Sequence, residues 1–291
     1  MTVPWLLERP PYLPFLDPRT ARPPGLMPLG ERPLATADPD FAAQITERAR
    51  LLEAERDTVL AVLPEGEAPA EELLEIVCAA TPDRWDGERW RRPDGVSVTP
   101  DPATPLASLG AMTAEDWCLL VPGDEYRLVA AILCFPSRWS LAEKLGRALT
   151  PIHAPVPDYD GTLARRVNRV FEAIRPGASL WRVNWLVHVE SELYLPRREE
   201  DKSDGVAVGP ETPLYLRTER QTLTRLPRTG AVAFGIKTSL SPLEALAPSE
   251  AAAMARELGA LEERTIANRA GGNLQTEALR RLALASRAET A

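Results

Sequence analysis

The chain has 291 residues, a formal net charge of −8 and a hydrophobic fraction of 44%, with seven tryptophans. This length and apolar content are sufficient for one large or two small domains with a substantial core. The negative charge, together with the lack of a Lys/Arg block, disfavours nucleic acids and anionic membranes as partners. No stretch approaches the roughly 20 apolar residues of a membrane span, and the N-terminus does not resemble a signal peptide. We therefore expect a soluble protein.

The three cysteines, Cys78, Cys118 and Cys134, are widely spaced and have apolar neighbours. An odd number at such spacing indicates neither a disulfide framework nor a thiolate metal cage, which needs closely paired ligands. A reducing compartment, the cytoplasm, is the natural location.

Residues 1–37 are rich in proline but contain large apolar side chains such as Trp5 and Phe15. Disordered tails seldom carry such groups, so we predict an extended arm that packs along the body of the protein. Apolar residues at helical spacing then predict one helix over residues 38–63 and another over 69–80.

The centre of the chain alternates strands and helices. Residues 126–135 are apolar on both faces and predict a buried strand. Ser140 and Glu143 predict a capping box for a helix that contains Leu141, Leu145 and Leu149. A further helix is predicted over residues 163–174.

A strand at residues 181–190 has the clearest pattern, with Trp181 and Val183 on one face and Arg182, Asn184 and His188 on the other. Two more strands are predicted at 214–219 and 231–239, followed by C-terminal helices interrupted by two glycines. This order predicts an α+β fold with a mostly antiparallel sheet.

Two histidines are present, His153 and His188. His188 lies among polar neighbours and is interpreted as a partly exposed strand residue. His153 lies between Pro151, Pro155 and Pro157, whose rings restrict the backbone, and a metal-binding imidazole needs such a fixed direction. A structural role for His153 is the competing interpretation, and a site with two histidines and one carboxylate for iron stays open. Gly-rich phosphate loops are absent.

Residues 216–238 contain Arg217, Arg220, Arg225 and Arg228 around Glu219. This pattern is typical of a solvated, ion-paired strand edge. The alternative is an anion site, because guanidinium groups bind carboxylates through two parallel hydrogen bonds.

Three segments closely resemble the haem-dependent oxidative N-demethylase-like family. They read FPSRWSLAEKLGRALTPIHAPVP (135–157), RVNW (182–185) and LRTERQTLTRLPRTGAVAFGIKT (216–238). DRWDGERW (83–90) and AEDWCLLVP (114–122) are weaker matches, and the resemblance extends in order over about residues 40–245.

The resemblance implies a PAS-like haem domain over residues 38–245, between the arm at 1–37 and a C-terminal helical extension at 246–291. In such a domain an antiparallel sheet and flanking helices enclose haem b, and His153 holds the iron. The activity implied is oxidative removal of a methyl group from a small secondary amine by O2. Electrons would come from a separate flavin and iron–sulfur reductase, since this chain carries no motif for either cofactor.

Other roles implied by the resemblance are divided among several residues. Glu219, Arg220 and Asn184 are candidates for the catalytic distal pocket. The candidates for binding the haem propionates are Arg217, Arg220, Arg225, Lys144 and Lys237.

Two alternatives remain at this point. One is a haem-based PAS-like protein that senses or binds a gas without catalysis, although no output domain is recognisable in the chain. The other is a structural or interaction protein without haem.

Overall fold

The structure is a computed structural model that describes residues 3–21, 24–153, 161–197, 208–260 and 272–287. For residues 153, 161–166 and 272 the description covers the backbone alone. Within these ranges the protein is α+β, with a mostly antiparallel sheet and several helices. No helix in the described ranges combines the length and the apolar character that crossing a membrane requires.

The helices lie in three groups along the chain: before, within and after the strand-rich centre. In order they are α1 Pro18–Ala21, α2 Phe41–Ala54, α3 Arg56–Val59, α4 Glu67–Ala79, α5 Pro105–Met112, α6 Leu141–Lys144, α7 Leu149–His153, α8 Gly161–Ala173, α9 Pro248–Gly259 and α10 Gly272–Ala285. Single 3-10 turns occur at Pro14–Leu16, Pro64–Gly66 and Leu243–Ala245.

Seven of the nine described strands form one sheet in the order β1-β7-β8-β9-β5-β6-β2, and β3 and β4 form a separate pair. The strands are β1 Met27–Pro28, β2 Leu60–Val62, β3 Trp90–Arg91, β4 Ser97–Val98, β5 Asp116–Val121, β6 Arg127–Ile132, β7 Ser179–His188, β8 Tyr215–Arg225 and β9 Val232–Pro242. Every neighbouring pair is antiparallel.

The two faces of the large sheet are covered by different helices. On one face, which we call the α4 face, Trp181 and Val183 pack in a core with Leu73 and Val77 of α4. On the other, the α8 face, the cluster is made by β5, β6, β8 and β9 together with α6, α7 and α8. Because side chains alternate along a strand and Asn184 pairs with Glu219, the even-numbered residues of β7 share the α8 face with the odd-numbered residues of β8.

The long central strands confirm the strands predicted from their period, with revised ends. The strand predicted at 214–219 extends to Arg225, and the one at 231–239 extends to Pro242. The helix predicted over residues 38–63 is wrong at its end, because Leu60–Val62 forms β2. These residues pair with the free edge of β6, where their main-chain groups complete the ladder.

The helix predicted to contain Leu141, Leu145 and Leu149 is two short helices, α6 and α7. Gly146 interrupts it with a φ of 77° and donates its N–H to the carbonyl of Leu128 in β6. Glycine adopts this left-handed conformation without steric cost. Ser140 precedes α6 but its side chain forms no capping hydrogen bond, so the predicted capping box is absent.

The N-terminal segment lies along the body at several points. The N–H of Leu7 binds the carbonyl of Leu240, and the indole of Trp5 donates to the carbonyl of Ser191 at 2.8 Å. Phe15 packs edge-on against Trp185 at 5.9 Å between ring centroids. At the other end of the chain, α9 and α10 join the same cluster as Phe15 and Trp185.

Gly235 of β9 provides a test of sheet packing. A Cβ at this position would lie 2.6 Å from Thr222 Oγ1 and 2.6 Å from a ring carbon of Trp117. We expect Gly235→Ala to lower the free energy of unfolding by about 1–3 kcal/mol through overpacking. Urea unfolding would measure this, with Gly209→Ala as the control, because a Cβ there meets no atom within 4 Å. Equal stability of the two variants would contradict the packing described for β9.

Candidate functional site

Four polar side chains form a connected network on the α8 face, across the two neighbouring strands β7 and β8. Arg182 Nε donates to Gln221 Oε1 at 2.7 Å, and Gln221 Nε2 donates to Glu219 Oε2 at 3.1 Å. Asn184 Nδ2 donates to the same carboxylate oxygen at 3.4 Å. We call these four residues the sheet network. Both members on β8 are buried, whereas Arg182 and Asn184 are partly exposed.

Exposure along β7 shows that this face is the more open one. Its α8-face side chains from Leu180 to Leu186 are all partly exposed, while Trp181, Val183 and Trp185 on the α4 face are buried. Burial lowers the pKa of Arg182, and the nearby Glu219 opposes that shift. The partly exposed α8 face of β7 therefore combines a partly desolvated cation, Arg182, with the apolar side chains of Leu180 and Leu186.

Arg217 lies beside the sheet network but donates mainly to the main chain. Its Nη2 binds the carbonyl of Phe135 at 2.7 Å and its Nη1 binds that of Leu193 at 3.4 Å. Its Nε is 3.6 Å from Glu219 Oε1, so the two form an ion pair. Burial lowers the pKa of Arg217. The residue predicted for propionate binding thus joins the network to a loop after β6.

Arg220 lies on the opposite face from Glu219, because consecutive strand residues point in opposite directions. Its guanidinium donates to the carbonyls of Pro33 and Leu34 in the N-terminal segment. It also lies 6.0 Å from the centroid of Trp181. Glu219 and Arg220, predicted together for one distal pocket, are separated by the sheet.

Two more predicted propionate ligands bind main-chain carbonyls. Arg225 Nη1 donates to Glu172 and Ile174 at the end of α8. Lys144 is buried, and its Nζ donates to the carbonyl of Ile152 at 2.7 Å. Lys144 therefore binds the main chain immediately before His153. Lys237, the remaining candidate, forms a buried ion pair with Asp40 at 3.0 Å.

The backbone of His153 ends α7, and its side chain lies outside the described part of the structure. The residues before it locate the helix: Leu149 and Ile152 pack in the same cluster as Leu223 and Phe234, which are on the α8 face. The helix that carries the predicted iron ligand thus covers the face that carries the sheet network.

The interpretation of His188 as a partly exposed strand residue is wrong, because only 1% of its surface is exposed. Its Nδ1 is 3.4 Å from the Glu190 carboxylate and its Nε2 is 3.5 Å from Ser137 Oγ. Burial, with Arg217 and Arg138 nearby, lowers its pKa to about 4. Glu190, two residues after the end of β7, was a sequence signal for a partner of His188. The loop that supplies Ser137 and Arg138 is remote in sequence and gave no such signal.

A small cavity of about 160 Å³ lies away from this face, between the N-terminal segment, the start of α2, β3 and the residues that follow α4 and α5. Phe41, Thr113 and Trp90 are among its lining residues. Sites for drug-sized ligands usually have about 300–1,000 Å³, so this cavity is too small for a tetrapyrrole. In the described ranges no three His, Cys, Asp or Glu side chains are grouped to hold a metal ion.

The comparison with known families decides the classification. The family described as haem-dependent oxidative N-demethylase, alpha subunit-like, matches residues 25–278. The match runs from β1 to within α10 and includes every strand, α7 and the sheet network. The chain belongs to this family. Its family is thus haem-dependent and demethylase-like, as the three sequence segments predicted.

For a member of this demethylase-like family, the residues of the α8 face match the chemistry of a haem. A porphyrin needs an apolar surface, and Leu180 and Phe234, which are partly exposed and belong to the same cluster on this face, provide one. Its propionates need hydrogen-bond donors, and Arg182 has two amino groups without a hydrogen bond in the described ranges. We conclude that these residues fit the group.

The low pKa of His188 predicts how this family member responds to acid. The unfolded chain binds a proton at His188 near pH 6.5, whereas the folded protein does so only near pH 4. Stability is therefore fully present above about pH 6.5 and is lost as the pH falls from there towards 4. At pH 5 the loss is about 2 kcal/mol.

Replacement of His188 by Gln removes this titration. We expect the His188→Gln variant to lose about 2 kcal/mol less than the wild type between pH 7.5 and pH 5, measured by urea unfolding. Glu190 also has a lowered pKa, but its stabilisation is lost only below its ordinary value of 4.5. Identical pH dependence in both proteins would show that His188 is not buried in the neutral form.

Proposed function

We propose that the protein is a haem b-dependent monooxygenase that oxidatively demethylates a small secondary amine. The observation that carries this proposal is the family match together with the position of α7, whose last residue is His153, over the face that holds the sheet network. His153 is the proposed iron ligand. When bound, the haem supplies the site at which O2 is activated.

The chain's own residues would bind and orient the amine. Glu219 is the carboxylate of the sheet network and accepts hydrogen bonds from Asn184 and Gln221. A carboxylate held in this way suits an ammonium group by charge and can exchange a proton with it. Asn184 is partly exposed and has hydrogen-bonding capacity beyond its bond to Glu219. We include Glu219 and Asn184 in the proposed pocket, but not Arg220, because it lies on the α4 face.

The PAS-like character of the domain is part of the proposal. It is supported by an antiparallel sheet with α6, α7 and α8 packed on one face, since this arrangement can enclose a cofactor between sheet and helices. The family description names an alpha subunit, which fits a separate polypeptide as electron donor. We propose a flavin and iron–sulfur reductase in that role. The three buried free thiols fit a cytoplasmic location.

The iron ligand is tested by exchanging the two histidines separately. We expect His153→Ala to lose or markedly shift the Soret absorption of the haem-loaded protein, because the axial ligand sets the iron spectrum. His188→Gln is the matched control and should keep it, because His188 is buried against Glu190. A normal spectrum in the His153 variant, with loss in the control, would reassign the ligand to His188.

The reaction is tested with the haem-loaded protein, O2, a series of methylated amines and an excess of a chemical electron donor, because each demethylation consumes two electrons and a ferrous haem supplies only one. We expect dimethylamine or a similar secondary amine to accelerate O2 consumption and to release formaldehyde in equal amount to the amine consumed. Glu219→Gln should lower this rate at least tenfold, because the neutral amide lacks the charge that attracts an ammonium group. If O2 binds but no amine accelerates its consumption, the gas-binding alternative is favoured.

A further inference from the structure

Arg182 has a free bidentate edge in the described part of the chain. Its Nε donates to Gln221 Oε1 at 2.7 Å. Its Nη1 and Nη2 make no hydrogen bond and no ion pair within the described ranges, although the side chain is only partly exposed. The guanidinium group thus presents two parallel N–H donors to whatever lies over the α8 face, and this is the geometry that binds a carboxylate.

The direction of this edge is fixed by the neighbouring residues. Gln221 donates through Nε2 to Glu219, so its amide oxygen is turned towards Arg182. Glu219 is held in turn by Asn184 and by the ion pair with Arg217. Because Gln221 occupies the Nε side of a planar group, the opposite edge of the guanidinium is the one left for a ligand.

The other arginines of this region are used differently. Arg217 and Arg220 each direct both amino groups to main-chain carbonyls, and Arg225 directs Nη1 to two of them. Of these four residues, Arg182 is the one whose two amino groups both lack a partner in the described ranges. The arginines of β8 therefore bind main-chain carbonyls, and the guanidinium group whose two amino groups have no described partner lies on the neighbouring strand β7.

Binding of an anion stabilises a desolvated cation more than it stabilises a cation in water. Burial of Arg182 disfavours its charge, and Glu219, the carboxylate that opposes this effect, already accepts two other hydrogen bonds. An isolated partly buried charge costs free energy unless it is paired. A carboxylate on the Nη1/Nη2 edge would provide that pairing.

We propose that Arg182 binds a propionate carboxylate of the haem through its two amino groups and so orients the porphyrin on the α8 face. This inference rests on the proposed haem site. It makes Arg182 a cofactor-binding residue and Gln221 a positioning residue for it.

The test compares two porphyrins in the same protein. Apoprotein is titrated with haemin and with haemin dimethyl ester, which lacks free carboxylates, and the Soret band reports binding. We expect Arg182→Met to weaken haemin binding at least tenfold while leaving the affinity for the diester unchanged. Arg182→Lys should restore part of the haemin affinity, because it keeps the charge but not the paired donors. Arg228→Met is the control, because Arg228 is exposed and paired with Glu75.

The outcomes separate the two proposals. Equal weakening of both porphyrins by Arg182→Met, or no weakening of haemin, would overturn the role of Arg182 and leave the haem site intact. A wild-type protein that binds neither porphyrin would overturn the proposed function itself. Unchanged diester binding also shows that the Arg182 variant is folded.

Discussion

The main chain at Phe135 is fixed by two buried charges, and the site depends on this arrangement. The carboxylate of Asp116 accepts the N–H groups of Cys134 and Phe135, at 2.8 Å and 2.9 Å, and pairs with Arg48 at 2.6 Å. Arg217 holds the Phe135 carbonyl. Breaking a buried ion pair leaves an uncompensated charge. The chain is thus held between α2 and β8 where it leaves β6 towards α6 and α7.

Guanidinium groups on β8 connect the sheet to irregular segments remote in sequence. Arg217 binds the loop after β6, Arg220 binds the N-terminal segment, and Arg225 binds the end of α8. Loop carbonyls that are buried need donors, and a long side chain on a central strand reaches them from a rigid base. Because successive residues alternate between faces, one strand serves segments on both sides of the sheet. This explains why so many charged residues lie in a buried strand.

The sequence pattern predicts the helices and strands whose structure depends on their own residues. It fails where contacts with segments remote in sequence determine the structure. The period of β7 placed Arg182 and Asn184 correctly on one face. The pattern did not extend β8 beyond Glu219, because Arg220, Gln221 and Thr222 are polar and are buried only by tertiary contacts.

The break between α6 and α7 depends on a hydrogen bond from Gly146 to β6, and the burial of His188 depends on the loop at Ser137. The sequence could not single out Arg182 as a candidate binding residue, because the lack of partners for its amino groups within the described ranges is apparent only once the partners of the other arginines are known.

The two parts of the proposed site are held in place by different interactions. The sheet network belongs to the long pairing of β7 with β8, whose ladder hydrogen bonds fix each side chain relative to the next. His153 ends a five-residue helix that is too short to be stable alone. Its position is set by Leu149 and Ile152 in the α8-face cluster and by Lys144 on the Ile152 carbonyl. Precision at the iron would therefore come from packing against the sheet. Lys144 would then support the proposed ligand, and the proposed propionate anchor is Arg182 on β7, whose two amino groups have no partner among the described residues.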